Sequence, residues 1–159
     1  MSGQPITPKG LARLHEQLRH LKEVERPKNV RDIEEARAHG DLRENAEYHA
    51  AKERQGHIAG QIQALESQIA TSSVIDPATL KGSRVIFGAT VTLVDLDNDD
   101  AEPMVYQIVG DVESDLAAGR ISISSPLARG LIGKDEGDEC VIQTPKGRRN
   151  VLIERVAFK

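Results

Sequence analysis

Hydrophobic positions recur at helical intervals in the first part of the chain and alternate in the last, so the architecture changes partway along. Leu11, Leu14, Leu18 and Leu21 are spaced by three and four, and Val30, Ile33 and Ala36 resume that spacing beyond Pro27. On the return, Tyr48, Ala51, Gln55, Ile58, Ile62, Leu65 and Ile69 make a second stripe. Stripes of this period are the seams of paired helices. They predict an antiparallel coiled-coil hairpin, each arm reaching about 40–45 Å at a rise of about 1.5 Å per residue. Thr7 and Pro8 mark its start, Thr as N-cap and Pro at the first helical position, with Ile6 and Leu11 placed as a hydrophobic staple. Pro27 predicts a kink, because the helical spacing resumes at once.

Gly40 falls where the first arm must end, since a residue without Cβ closes a last turn in the left-handed conformation at little steric cost. Asp41 then fits as N-cap of the second arm, and Glu44, three residues on, completes a capping box. A second role fits the same pair. Run backwards, the seam of the second arm lands on Glu44 and Asp41, so a face that is apolar at the base turns acidic at the tip. Two carboxylates there suit a hard divalent cation such as Mg²⁺, which takes about six oxygen ligands, so other molecules would have to complete the site. His49, Glu53 and His57 also recur every four residues, but opposite the seam and beside Lys52 and Arg54, where a solvated charged face accounts for them.

Turn residues from Thr71 to Ser83 end the helical period and place a linker at residues 76–83, between a finger (residues 1–75, tip at 40–45) and a second domain (residues 84–159). Val85-Ile86-Phe87, Thr90 to Val94, Val105 to Val109 and Ile121 to Ile123 have strand character. Cys140 to Thr144 and Asn150 to Val156 predict a hairpin turning through Pro145-Lys146-Gly147, and Ser125-Pro126 starts a short helix. The expected fold class is α+β.

Composition narrows the function. Aromatic residues are 3% of the chain and Trp is absent, which disfavours a deep aromatic pocket. A net charge of −4 argues against binding nucleic acid by bulk electrostatics. Residues 1–75 carry 11 basic and 11 acidic side chains, so the negative excess belongs to the second half. The single cysteine, Cys140, sits in a strand pattern as a small apolar residue and suits a reducing compartment. No signal pattern opens the sequence and no run is long enough to span a bilayer, so a cytoplasmic protein without membrane contact is expected.

Three separated motifs carry a resemblance: Gly40-Asp41-Leu42-Arg43-Glu44-Asn45-Ala46-Glu47-Tyr48, Val85-Ile86-Phe87-Gly88-Ala89-Thr90-Val91, and Ser125-Pro126-Leu127-Ala128-Arg129-Gly130-Leu131-Ile132-Gly133-Lys134. Together they resemble the Gre family of bacterial transcript cleavage factors, its GreA branch more than its basic GreB branch. The resemblance implies a coiled-coil finger followed by a small FKBP-like antiparallel sheet domain with a short helix. It implies a factor, not an enzyme, that enters the secondary channel of RNA polymerase and stimulates the polymerase's own Mg²⁺-dependent cleavage of the RNA 3′ end in backtracked complexes. Asp41 and Glu44 would be the catalytic pair and would hold a Mg²⁺ ion shared with the polymerase. Arg37 and Lys52 would contact the nascent RNA, Pro126, Leu127, Ala128 and Arg129 would dock on the polymerase, and the factor would act as a monomer. Three other expectations compete: a non-cleaving inhibitor of the same channel, a peptidyl-prolyl isomerase with only Phe87, Tyr106 and Phe158 to line its hollow, and a helical-hairpin interaction module in which the tip acids merely cap.

Overall fold

The structure, a computed structural model, describes residues 3–40 and 44–159. The chain divides into two units, Leu11–Ser72 and the pair Met1–Gly10 with Ser73–Lys159. The sequence pattern places the first ten residues with the finger. In the structure they belong to the globular unit, because β1 (Gln4–Ile6) pairs with β2 (Ser72–Val74) and Ile6 is buried.

Helix α1 (Pro8–His20) starts behind Thr7, as the Thr-Pro pair predicts. It does not run straight into the next helix. Leu21–Glu25 form a π-helical turn, in which the Arg26 N–H donates to the Leu21 carbonyl five residues back, and α2 (Arg26–Arg37) follows without a break. A proline ring clashes with the carbonyl four residues before it in regular α-helix, and the wider turn gives the ring of Pro27 room. The surplus residue shifts the inward face. Asn29, Ile33 and Ala36 are buried, whereas Val30, which the regular spacing assigns to the seam, is 44% exposed.

Helix α3 (Ala46–Ala70) returns along the hairpin and buries Ala51, Ile58, Ile62 and Leu65, with Gln55 exposed between them. Each large apolar side chain taken out of water stabilises by about 1.5–3 kcal/mol, and the small Ala36 and Ala51 contribute less, so the distal half of the seam is its weaker part. Polar ties make up part of the difference. Asn29 is only 2% exposed and its Nδ2 donates to the Ala51 carbonyl at 2.9 Å. Arg54 bonds Glu25 at 2.5 Å and Lys22 bonds Glu66 at 2.8 Å across the hairpin.

In the globular unit, β3 (Ala89–Asp95) buries every second residue and sits at the centre of a five-stranded sheet. The other strands are β4 (Met104–Val109), β5 (Arg120–Ser122), β6 (Glu139–Thr144) and β7 (Gly147–Phe158), in the order β5-β4-β3-β7-β6. The sheet is mixed and not purely antiparallel. β5 lies parallel to β4, reached through short 3-10 turns at Asp111–Glu113 and Leu116–Ala118 that let the chain cross back before pairing. Val85-Ile86-Phe87 is not a strand either: Val85 is fully buried, exchanging backbone hydrogen bonds with Lys134 and Gly133. The β6–β7 hairpin forms as predicted, with Gly147 at φ +116°. On β7 a bulge intervenes, since Thr92 faces Arg155 and Leu93 faces Ile153, which leaves Glu154 as the extra residue. The inward set therefore passes from Val151 and Ile153 to Val156. Helix α4 (Pro126–Leu131) adds Leu127, Ala128 and Leu131 to the same core. Among the described residues no helix is long and apolar enough to cross a membrane.

Candidate functional site at the hairpin tip

The end of α2 tightens as its carbonyls run out of partners. Ala38 N–H reaches both Glu34 and Glu35, His39 N–H reaches Ala36 at 3.2 Å, and Gly40 N–H reaches Arg37 at 3.4 Å. Gly40 then adopts φ +105°, the conformation for which its lack of Cβ suits it. Asp41, the other half of the predicted acidic pair, lies outside the described residues. Glu44 is described and exposed.

The cap of the second arm is not where the Asp-x-x-Glu spacing puts it. Helix α3 starts at Ala46, and its N-cap is Asn45, whose side-chain oxygen accepts from the Tyr48 N–H at 3.0 Å. Glu44 therefore precedes the helix and is not its third residue, so it does not close a capping box on α3. Asn45 does more than cap. Its Nδ2 donates to the Ala36 carbonyl at 2.6 Å, so one amide satisfies an orphan donor at the start of α3 and bonds the last turns of α2. The carboxylate of Glu44 is thus carried on a backbone whose next residue is pinned to both helices. Its signal in the sequence was available, because Asn caps helices about as well as Asp.

Around this point stand the groups expected to meet RNA. Arg37 is exposed at the end of α2, its guanidinium carbon 6.0 Å from the centre of the half-buried Tyr48 ring. This is within the range of a cation–π contact and leaves the guanidinium edge to other partners. Tyr48 also meets the His49 ring edge-on at 5.7 Å. Lys52 is one helical turn beyond Tyr48, exposed, with Nζ donating to Gln55 at 3.0 Å. His39 and Glu47 face each other at 3.7 Å. Glu53 and His57, the outer-face pair, are exposed 3.9 Å apart, and among the described residues no group of three or more potential ligands gathers for a metal.

Of the four residues expected to dock in the globular unit, two are buried. Ser125 caps α4 by accepting from the Ala128 N–H at 3.2 Å, which fixes the helix so that Leu127 (5% exposed) and Ala128 (0%) point into the sheet core. Pro126 and Arg129 remain exposed. Beside them is a hollow of about 400 Å³, lined by Leu116, Arg120, Pro126, Leu127, Gln143 and Pro145 among others, and none of Phe87, Tyr106 or Phe158 lines it.

Comparison with known proteins covers nearly the whole chain. Residues 4–74 match the family described as transcription elongation factor, N-terminal, and residues 80–158 match transcription elongation factor, GreA/GreB, C-terminal. The transcription elongation factor GreA of Anaeromyxobacter sp. (strain K) is 54% identical over 158 residues, 99% of this chain and 94% of that protein. That of Xylella fastidiosa (strain 9a5c) is 54% identical over 155 residues, 97% of both chains. The solved structure of the GreA factor homolog 1 (Gfh1) protein of Thermus thermophilus is 24% identical with a TM-score of 0.43, over 97% of this chain and 98% of that one.

Proposed function

The chain belongs to the GreA/GreB family of transcription elongation factors, and on that premise we propose that it enters the secondary channel of RNA polymerase and stimulates the polymerase to cleave the RNA of backtracked complexes. It acts as a cofactor of the polymerase in the cytoplasm and has no nuclease activity of its own. The observation that carries this reading is the tip, where the exposed Glu44 is set directly before Asn45, the residue that ties α2 to α3.

Hard carboxylate oxygens on an exposed turn fit a hard cation. Glu44 and Asp41 would hold a Mg²⁺ ion, the polymerase and the RNA supplying its other ligands, and when bound that ion supplies charge stabilisation to the attacking and leaving oxygens. The chain's own contributions are positional. Asn45, bonded to both α2 and α3, holds the backbone next to Glu44 in place. Arg37, propped on Tyr48, presents donors to a phosphate, and Lys52 extends the positive surface one turn along. A carboxylate that must bind its ion only in the presence of the polymerase gains by being exposed and unburdened by burial.

The reading is tested by adding the protein to stalled, backtracked elongation complexes and following 3′-terminal RNA fragments. The expected result is Mg²⁺-dependent fragment release with the protein and none from free RNA. Glu44→Gln should compete for polymerase as well as the parent does and release fragments slowly, the deficit shrinking as Mg²⁺ is raised. Slowed synthesis without fragments from the parent protein would identify a non-cleaving channel inhibitor instead.

A further inference from the structure

The first turn of α1 has a glycine where helix chemistry favours a side-chain acceptor. Thr7 caps the helix, its Oγ1 accepting from the Gly10 N–H at 3.1 Å. In a capping box the third helical residue is Glu or Gln, which reaches back to the N–H of the cap residue. Gly10 holds that position and has nothing to reach with. The acceptor comes instead from 106 residues away: Glu113 Oε2 accepts from the Thr7 N–H at 3.0 Å, and its Oε1 accepts from the Thr7 hydroxyl. The same Oε2 accepts from the Gly110 N–H at 2.9 Å, closing the start of the 3-10 turn to which Glu113 itself belongs. One carboxylate, 5% exposed, thus completes the capping of two chain segments.

The two glycines beside it have a steric reason to be glycine. A Cβ on Gly10 would stand 2.1 Å from Glu113 Oε1, and one on Gly110 would stand 2.2 Å from the Pro5 carbonyl oxygen. Neither has a positive φ, so conformational freedom is not what selects them. The space of each missing side chain is filled by a group of the joint itself.

We propose that Glu113 is a positioning residue whose carboxylate clamps the start of α1 into the globular unit. Gly10 is the last residue of that unit and Leu11 the first of the hairpin, on one continuous helix. The helix that continues as the first arm of the hairpin therefore starts from a turn held shut by Glu113, and loss of that hold loosens the start of the arm on which cleavage depends. This consequence for cleavage rests on the function proposed above; the clamp itself does not.

The test compares Glu113→Gln, Gly10→Ala and the double variant Gly10→Glu with Glu113→Ala, which gives α1 a capping box of its own but removes the tie. Amide hydrogen exchange is read at Thr7 and Gly110, with Ile153 in the sheet as the reference for an intact fold. Cleavage in backtracked complexes is resolved into its rate at saturating factor and its half-saturating concentration. Glu113→Gln and Gly10→Ala should speed exchange at both amides by on the order of tenfold, leave Ile153 slow, and lower the saturating rate. The double variant should protect Thr7 again while the rate stays low. Slower exchange at Thr7 in Gly10→Ala, as helix propensity alone predicts, would overturn the clamp, and so would a rate restored by the double variant, which would make Glu113 a cap and nothing more. Absence of cleavage from the parent protein would remove the proposed function while the exchange results still decide the clamp.

Discussion

The hairpin and the sheet each absorb one surplus residue, and they do so by different means. On β7 the extra Glu154 is pushed outward, and apolar residues remain on the inward side before and after it, Ile153 and then Val156. In the hairpin the surplus sits in the π-helical turn Leu21–Glu25, and the face it turns inward includes Asn29. A sheet packed on a broad core can shift phase and find another Val. A two-helix seam has no spare apolar residue at that place, so it buries an amide and satisfies it on the Ala51 carbonyl. Registers in the hairpin are thus held by a few directed bonds, and those in the sheet by packing.

Single-residue deletions break this comparison most severely. Removing Val24 closes the π turn to ordinary α pitch and brings the Pro27 ring against the carbonyl four residues earlier, at a cost of about 3 kcal/mol. The hairpin's helical signal should melt earlier by that amount, and Pro27→Ala in the deleted chain should recover most of it. Removing Glu154 leaves Ile153 and Val156 facing inward in strict alternation, with an expected loss of about 1 kcal/mol or less. A deletion of Glu154 that proved the costlier of the two would reverse the contrast.

A smaller effect separates directed bonds from packing at the tip. Asn45→Ala loses the cap of α3 and the bond that ties it to the Ala36 carbonyl, an expected loss of about 1 kcal/mol, with Asn45→Asp retaining the cap and losing only the bond to Ala36. Urea titration should rank the parent above Asn45→Asp, and Asn45→Asp above Asn45→Ala. In cleavage both variants should fall, since a carboxylate that restores the cap has no N–H with which to restore the tie to α2.

The smallest effect expected is on acidification. Hydrogen bonds from Arg54, first, and from His20 hold the Glu25 carboxyl below the ordinary carboxylate range. A carboxyl depressed in the folded state adds stability above its unfolded value, about 4.3, and loses it as pH falls through the lower folded one. The hairpin should therefore weaken across that interval, and Glu25→Gln should flatten the slope there. An unchanged slope in the variant would show that the Glu25–Arg54 tie holds nothing.

Features set by neighbours in sequence were legible. The Thr7-Pro8 start, the Gly40 stop, the Ser125 cap, the β6–β7 turn and the two-domain α+β architecture all follow from local rules and period. Features set by partners far along the chain were not. Asp41 and Asn45 are equally good caps by type, and only the bond from Asn45 to Ala36, nine residues back, distinguishes the one the chain uses. The docking role of the residues around α4 comes from the resemblance, which says nothing of which of them face the core. A short helix on a sheet gives the core side chains spaced by three and four, and Leu127 and Ala128, each paired in this way with Leu131, are those. The strand at Gln4–Ile6 is three residues long, too short for any periodicity to announce, and the alternation of Ile121 to Ile123 marks a strand without saying that it pairs parallel to β4.

Tyr48 gives the tip an optical property of its own. The chain has no Trp and two tyrosines, the other being Tyr106 on β4. Tyrosine emission is ordinarily drained by energy transfer to tryptophan, and this chain has no tryptophan to receive it. With Tyr106 replaced by Phe, the ring beside Arg37 and His49 becomes the lone emitter, and the intensity of its ultraviolet fluorescence reports changes in contact with quenching groups at the tip, with no dye attached and no change to the residues that surround Glu44.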